Sequence, residues 1–419
     1  MKNTWLEAIE RKTIPGYSRL SEEEQSFPPL FVEESNLELV EQEEEQPVEV
    51  KTTECEVYFE AFLDGVQRTV LWRRAPLSSG AVVPIHIAHI AAGVMLRDQN
   101  GRLYVDPELV ASRTLLLAPF TGLKEAGLAL LEDNPPEFSD TSERTFKFPS
   151  VVNEWLLCDT TFCGTEPDRD QYTEGALLGL ELLNEGKVRS RAQGRVATLR
   201  QRLEMAVLAR FRAKYPTKWI LVDGPLFFID KWRRRAATIL GEELGRTDSS
   251  TIEDQLLSQA VGLIKSHRLR PKHLETVLKI GPSHRSLVSR LTNEVDIKGR
   301  RDSPDEDGSY GGAHLTWYTR LRGHTAEPYG ILGLIRLDVH RATFGIDRVD
   351  SLEYTGFKPY SDQVDAITRA VWRERWPAIR DSNELRAAAE PYPIQQLEKV
   401  LHAMLMPRRY LSHLRAFVG

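Results

Sequence analysis

Apolar and polar positions alternate along 56–64. Val57, Phe59, Ala61 and Leu63 fall on one side, and Tyr58, Glu60, Phe62 and Asp64 on the other, a period of two that predicts a strand over Glu56 to Leu63. A turn at Gly65 leads into a second strand, Val66 to Arg73, and Val82 to Leu96 reads as a third, rich in β-branched residues. The short connections predict three consecutive antiparallel strands. The spacing then turns helical over Ser150 to Leu157, Tyr172 to Asn184 and Ser190 to Ala213. In the last of these Leu199, Leu203, Ala206, Val207 and Phe211 make one apolar stripe. Pro216 ends that helix and Trp219 to Asp223 follows as a strand, a unit that packs as a crossover onto a sheet. A second unit joins a helix at Asp254 to Gln259 with a strand at Ala260 to Lys265. Asp296 to Gly312 reads as a mobile, charged, glycine-rich loop. Strands at Leu315 to Leu321 and Ile331 to Val339 and helices at Asp362 to Arg375 and Ile394 to Met404 complete the pattern.

Three strands, then helices, then strands alternating with helices suit an α/β domain with a mixed sheet and helices on its faces. This is the order of a ribonuclease-H-like fold, here with a helical insertion at about 106–215 and C-terminal helices. The 419 residues and the hydrophobic fraction of 41% are enough for one such decorated domain. The net charge of −6 conceals an asymmetry: Leu20 to Val50 holds eleven glutamates and no basic residue, and without that stretch the remainder carries +5. Residues 1–50 therefore read as an acidic, flexible N-terminal arm, with the ordered body starting near Lys51 and running through 51–419. The arm is a solvated linker, a docking segment for a basic partner, or a mimic that covers a nucleic-acid groove until DNA displaces it. Cys55, Cys158 and Cys163 are odd in number and form no CxxC pair, which argues against a disulfide framework or a structural zinc. The longest apolar run, Ala81 to Leu96, contains Pro84, His86 and His89 and is too short and polar to span a membrane. Acidic Glu7 stands where a secretory leader needs an apolar core, so a soluble cytoplasmic protein is expected.

Two apolar strands run into an aspartate and a glycine, Phe62-Leu63-Asp64-Gly65 and Ile220-Leu221-Val222-Asp223-Gly224. Each pair alone is ordinary turn chemistry. Together they set two acids at strand ends, where an apolar strand has no structural use for them. Glu204 is the only acid among ten basic residues between Lys187 and Lys218. It either pairs with Arg200 one turn earlier or reaches over the sheet to join Asp64 and Asp223. Three carboxylates suit hard divalent cations, Mn²⁺ or Mg²⁺, which relieve their mutual repulsion. Two such ions, roughly 3.5–4 Å apart, activate water and stabilise a leaving oxygen in phosphodiester hydrolysis. Lys265, Arg268 and Arg270, in a stretch without acids, are candidate phosphate contacts. Lys231, Arg233 and Arg234 form a DNA-backbone patch or a solvated helix face. Tyr318 shares a strand face with Arg320 and is either core or a stacking surface. His402, on a basic C-terminal helix, is structural, binds phosphate or protonates a leaving oxygen. Neither GxxxxGK[ST], a GxGxxG after a strand, HExxH nor GxSxG occurs, so an ATPase, a dinucleotide enzyme, a zinc protease and a serine hydrolase are unsupported.

The motifs resemble the NurA nuclease family. The shared pieces are Phe62-Leu63-Asp64-Gly65, the helix with Glu204, Val222-Asp223-Gly224-Pro225-Leu226, Val261-Gly262-Leu263-Ile264-Lys265, and Tyr392-Pro393-Ile394 ahead of Leu397 and His402-Ala403. They span Lys51 to the C-terminus in the family's order. The resemblance implies a ribonuclease-H-like core, Mn²⁺- or Mg²⁺-dependent DNA cleavage, a homodimer, and a hexameric HerA-type ATPase that feeds DNA to it in end processing or antiphage defence. It also implies that Asp64, Glu204 and Asp223 hold the metal, that His402 belongs to the active site and that Lys265 contacts phosphate. Glu181 and Glu185 are the alternatives for the second ligand. Val66 stands where the family carries a serine. Two other readings remain: a catalytically silent adaptor on an ATPase ring, and a ribonuclease-H- or PIWI-like nuclease acting on RNA or hybrid.

Overall fold

The computed structural model describes residues 12–15, 33–34, 37–41, 46–76, 82–120, 145, 147–149, 154–161, 184–226, 230–246, 249–265, 269–271, 273–291, 314–322, 331–346, 357–377 and 384–407. In chain order the strands are β1 (Ile14–Pro15), β2 (Glu33–Glu34), β3 (Leu37–Leu39), β4 (Val48–Glu49), β5 (Ala61–Pro76), β6 (Val82–Arg97), β7 (Leu103–Ala118), β8 (Glu154–Asp159), β9 (Ile220–Asp223), β10 (Ala260–Ile264), β11 (Leu269–Arg270), β12 (His284–Arg285), β13 (Ser289–Leu291), β14 (His314–Arg320) and β15 (Leu334–His340). The helices are α1 (Glu185–Lys214), α2 (Asp230–Leu244), α3 (Ser249–Leu257), α4 (Leu274–Leu278), α5 (Ser361–Arg373), α6 (Glu384–Ala389) and α7 (Tyr392–Met404).

One large mixed sheet organises the molecule, with neighbours in the order β3-β13-β14-β15-β10-β9-β5-β6-β7-β8. β5, β6 and β7 form an antiparallel meander, β9 lies parallel to β5 on its other side, and β10 lies parallel to β9. Helices cover both faces, so the central strands are apolar on both sides rather than alternating with polar positions. Ala61, Leu63, Val222 and Ala260 pack under α1, α2 and α3 through Leu199, Leu203, Leu240 and Leu256. Phe62, Val66, Leu221 and Leu263 face the opposite way, towards Ile367 on α5 and Ile394, Leu397 and Leu401 on α7. Among the described residues no helix is long and apolar enough to cross a membrane.

Several elements differ from the sequence reading. The two strands expected on either side of a Gly65 turn are one strand, β5, which pairs with β6 along its whole length and matches Asp64 with Gly93 and Gly65 with Ala92. The local turn preference of Asp-Gly loses to a sixteen-residue strand whose ladder to β6 is broken only by a bulge at Trp72. The expected helical insertion at 106–215 contains strands: β7 fills Leu103–Ala118, and the helix expected at Ser150 to Leu157 is the edge strand β8, parallel to β7. Asn100-Gly101, in a tight turn with Gly101 at φ +79° and Asp98 accepting from the amides of Asn100 and Arg102, was the hairpin signal for β7. α1 is helical there, as the spacing of Ser190 to Ala213 predicts. The helix expected over Tyr172 to Asn184 lies outside the described residues except for Asn184, which caps α1, and the loop expected over 296–312 lies outside them entirely.

The N-terminal arm is corrected as well. Where it is described it is paired with strands of the body: β3 with β13 and β4 with β12 in the large sheet, and β2 parallel to β11 in a separate two-stranded sheet. Glu41 places both carboxylate oxygens on the Arg285 guanidinium at 2.7 and 2.8 Å, and Arg285 also donates to Asp365 at 2.7 Å. All three side chains are buried. Glu41 accepts from the Val288 amide too, and the Lys51 amide donates to Asp365. An acid in such a network is fastened by a buried charge, not solvated. Breaking one arm of a buried ion triad leaves uncompensated charge, so Glu41→Ala should cost roughly 3 kcal/mol of unfolding free energy in urea, and removing residues 1–50 at least as much. An unchanged urea midpoint for both would mean the arm is dispensable to the fold.

Candidate functional site

β9 stops at Asp223, and Gly224 at φ +122° turns the chain aside, a conformation that glycine adopts readily. The turn then lies close over β10: a Cβ on Gly262 would come within 2.7 Å of the Gly224 carbonyl and 2.9 Å of the Leu226 amide. The sheet therefore opens between β5 and β10 at the carboxyl end of β9, the position at which open α/β sheets bind ligands. Asp64 follows the last β5–β9 pair, Leu63 with Val222, and Asp223 pairs with Leu263, two residues before Lys265. By alternation from Phe62, Leu221 and Leu263, the side chains of Asp64, Asp223 and Lys265 stand on the face covered by α5 and α7.

Glu204 comes from α1 on the other face. Its carboxylate lies over Gly65, where an added Cβ would sit 2.2 Å from Oε1. Gly65 is thus needed for close approach rather than for a turn. Arg200 donates to the Gly65 carbonyl at 2.6 Å and lies 3.3 Å from Glu204 Oε1, the intrahelical pair read from the sequence. Lys265 bridges two carboxylates, with Nζ 2.8 Å from Asp223 Oδ2 and 2.7 Å from Glu390 Oε2. Glu390, just before α7, was missed in the sequence, where nothing distinguishes it from other acids.

The electrostatics bind these groups into one site. Burial pushes the Asp64 carboxyl well above the usual range, Asp223 and Glu204 push it further, and Lys265 and Arg200 oppose them. Burial lifts Glu204 to about 7, with Arg200 pulling down and Asp223 pushing up. Burial works against the charge on Lys265, yet Asp223, Glu390 and Asp64 together hold it above the ordinary lysine range. Glu204 Oε1 is buried with no hydrogen-bond partner. Among the described residues, however, no three His, Cys, Asp or Glu side chains already stand close enough to grip one ion.

The remaining candidates fall elsewhere. Tyr318 is buried against Val277, Ile280 and Leu334, because β14 is an interior strand covered on both faces, and it offers no stacking surface. Lys265 is held by carboxylates, not displayed for phosphate. His402 stands half-exposed on α7, its Nε2 3.4 Å from Glu398, with no hydrogen bond or ion pair to Asp64, Glu204 or Asp223. Its neighbour Leu401 packs against Gly93, the residue across the ladder from Asp64, so His402 flanks the site without joining it. Glu185 opens α1 and pairs with Arg74 at 2.9 Å, nineteen residues from Glu204, which removes it as a ligand. Lys231, Arg233 and Arg234 are on α2 and Arg270 is in β11, placed by their backbones, while Arg268 and Glu181 lie outside the described residues. Most arginines of α1 serve the fold: Arg202 donates to Thr145, and Arg212 to the carbonyls of Leu256, Lys218 and Ser258.

No family model and no curated protein matches this chain.

The raised Glu204 carboxyl has a signed consequence. Below about pH 4.5 folded and unfolded chains both hold this proton; between there and about 7 only the unfolded chain ionises freely, so stability falls as pH rises. In EDTA-containing buffer Glu204→Gln should match wild type near pH 4.5 and be more stable at pH 8 by up to roughly 3 kcal/mol in denaturant melts. Equal stability at pH 8 would show that Glu204 ionises without penalty.

Proposed function

We propose that the protein is a divalent-metal-dependent nuclease that hydrolyses DNA phosphodiester bonds at the carboxyl end of β9. One observation carries this reading: Asp64 and Glu204, both buried, and the partly buried Asp223 come from separate elements yet act electrostatically on one another, and burial and Asp223 hold the other two carboxyls above their usual range. Like charges gathered in a low-dielectric pocket are a liability to folding, and a cation is the group that relieves them. The donors are hard oxygens, and Glu204 Oε1, paired in charge with Arg200, makes no hydrogen bond within the protein; both fit Mn²⁺ or Mg²⁺ better than a softer ion. The strand order, a three-stranded antiparallel meander with two parallel strands added beside its first member, supports the ribonuclease-H-like reading.

On this reading Asp64, Glu204 and Asp223 hold the metal, and Glu390 and Lys265 support Asp223. Bound there, a divalent ion would polarise a phosphoryl oxygen and lower the pKa of an attacking water. Arg200, steadied by the Gly65 carbonyl, brings positive charge to the same end of the sheet. His402, exposed beside the site, is open to a phosphate or a leaving oxygen. The homodimer and the HerA-type ATPase partner rest on the motif resemblance alone, as does a role in end processing or antiphage defence.

The test is cleavage of labelled single- and double-stranded DNA, RNA and hybrid with Mn²⁺ or Mg²⁺. DNA should be cut, EDTA should stop the reaction, and Asp64→Asn and Asp223→Asn should each lower the rate by more than the 10–100-fold typical of losing an outer partner of a metal site. Cleavage in EDTA, or a wild-type rate in Asp223→Asn, would overturn the proposal; preference for hybrid would move it to an RNA-directed enzyme. Gly65→Ala is a finer probe. The three atoms nearest the new methyl all belong to the Glu204 side chain, so the variant should fold with a loss of about 1–3 kcal/mol yet match the activity defect of Glu204→Ala. A Gly65→Ala protein with full activity would exclude Glu204 from the site.

A further inference from the structure

Glu390 has no counterpart in any motif discussed above, yet its side chain is 2% exposed and ends on Lys265 Nζ at 2.7 Å. Its placement is over-determined. Arg322 donates to its carbonyl at 2.7 Å and to that of Ala387 at 2.6 Å. Tyr392, two residues on, donates its amide to the Glu374 carbonyl, and the Glu374 carboxylate is gripped by Arg97 through two bonds of 2.8 and 2.6 Å. Arg97 is itself fixed by the Phe59 carbonyl and lies 4.9 Å over the Phe62 ring. A loop held this firmly presents its carboxylate at one point. That point is Lys265 Nζ, which also donates to Asp223 at 2.8 Å.

An ammonium has three donors and suits two carboxylates at once. With Glu390 present, Lys265 keeps a buried partner even when Asp223 is engaged elsewhere. Without it, Asp223 is the one carboxylate left to Lys265 among these contacts, and the lysine competes with any cation for that oxygen. We propose that Glu390 is a positioning residue: it holds Lys265 at the side of the site and so leaves Asp223 available to a divalent cation. This deepens, and rests on, the metal-dependent reading above.

The test measures Mn²⁺ affinity directly, from the free-ion electron paramagnetic resonance signal, on the full chain without substrate. Glu390→Gln should weaken binding roughly tenfold, the lower end of what loss of an outer partner costs a metal site. Lys265→Met should tighten binding, because the competing cation is gone. The double variant should bind like Lys265→Met, since Glu390 acts only through the lysine. If Glu390→Gln weakens binding equally in both backgrounds, it acts merely as distant negative charge and the proposal falls. It also falls if Glu390→Gln leaves the affinity unchanged. Should Glu390→Gln fail to fold by circular dichroism, Lys265→Met decides alone: affinity no tighter than wild type defeats the idea. Absence of Mn²⁺ binding in wild type would instead remove the metal reading itself, and this inference with it.

Discussion

Like charges resist burial together, and the carboxyl end of β9 is where this fold enforces it. Asp64 and Glu204 are buried and Asp223 is partly so, and two cations of the chain, Lys265 and Arg200, stand against their repulsion. The balance is incomplete, since Glu204 keeps an oxygen with no hydrogen-bond partner. Stability alone would favour apolar side chains at the tips of such strands. The acids kept there are the ground on which the metal-dependent reading is proposed.

Backbone geometry makes that concentration of charge possible. β9 is only four residues long beside the sixteen of β5, so the sheet opens at its end and groups from both faces approach one another. Glycines then set how close they come. Gly65 lets a helix side chain rest on a strand backbone, and Gly262 lets the turn after Asp223 lie directly on β10. Neither acts as the loop punctuation that an Asp-Gly or a lone strand glycine suggests.

The acidic N-terminal segment follows the same electrostatic rule at a distance. Arg285 is buried and needs counter-charge, and Glu41 and Asp365 supply it from segments at opposite ends of the chain. Strands β3 and β4 add to the sheet beside it, and β2 runs along β11 in the basic stretch that follows Lys265. What composition marks as a solvated tail is, where described, paired strand: β3 and β4 on the sheet that also carries the site, and β2 in a small sheet with β11.

Apolar periodicity along the chain was sufficient for β6, α1, β9, β10, the β14–β15 pair and the C-terminal helices, because burying a stripe or a face is a local demand repeated every two or 3.6 residues. It was sufficient also to single out Asp64, Asp223 and Glu204, each an acid where the local pattern has no use for one. It failed where a short-range preference was overruled by a partner strand, as at Gly65, and where apolar residues fit either period, as in β8. Lys265 and Glu390 show the deeper limit. They meet across 125 positions of sequence, and Tyr318 becomes core only because Val277, Ile280 and Leu334 close over its face of β14. Such pairings come from the packing of elements against one another, and a charge's partner, unlike its presence, is written only in three dimensions.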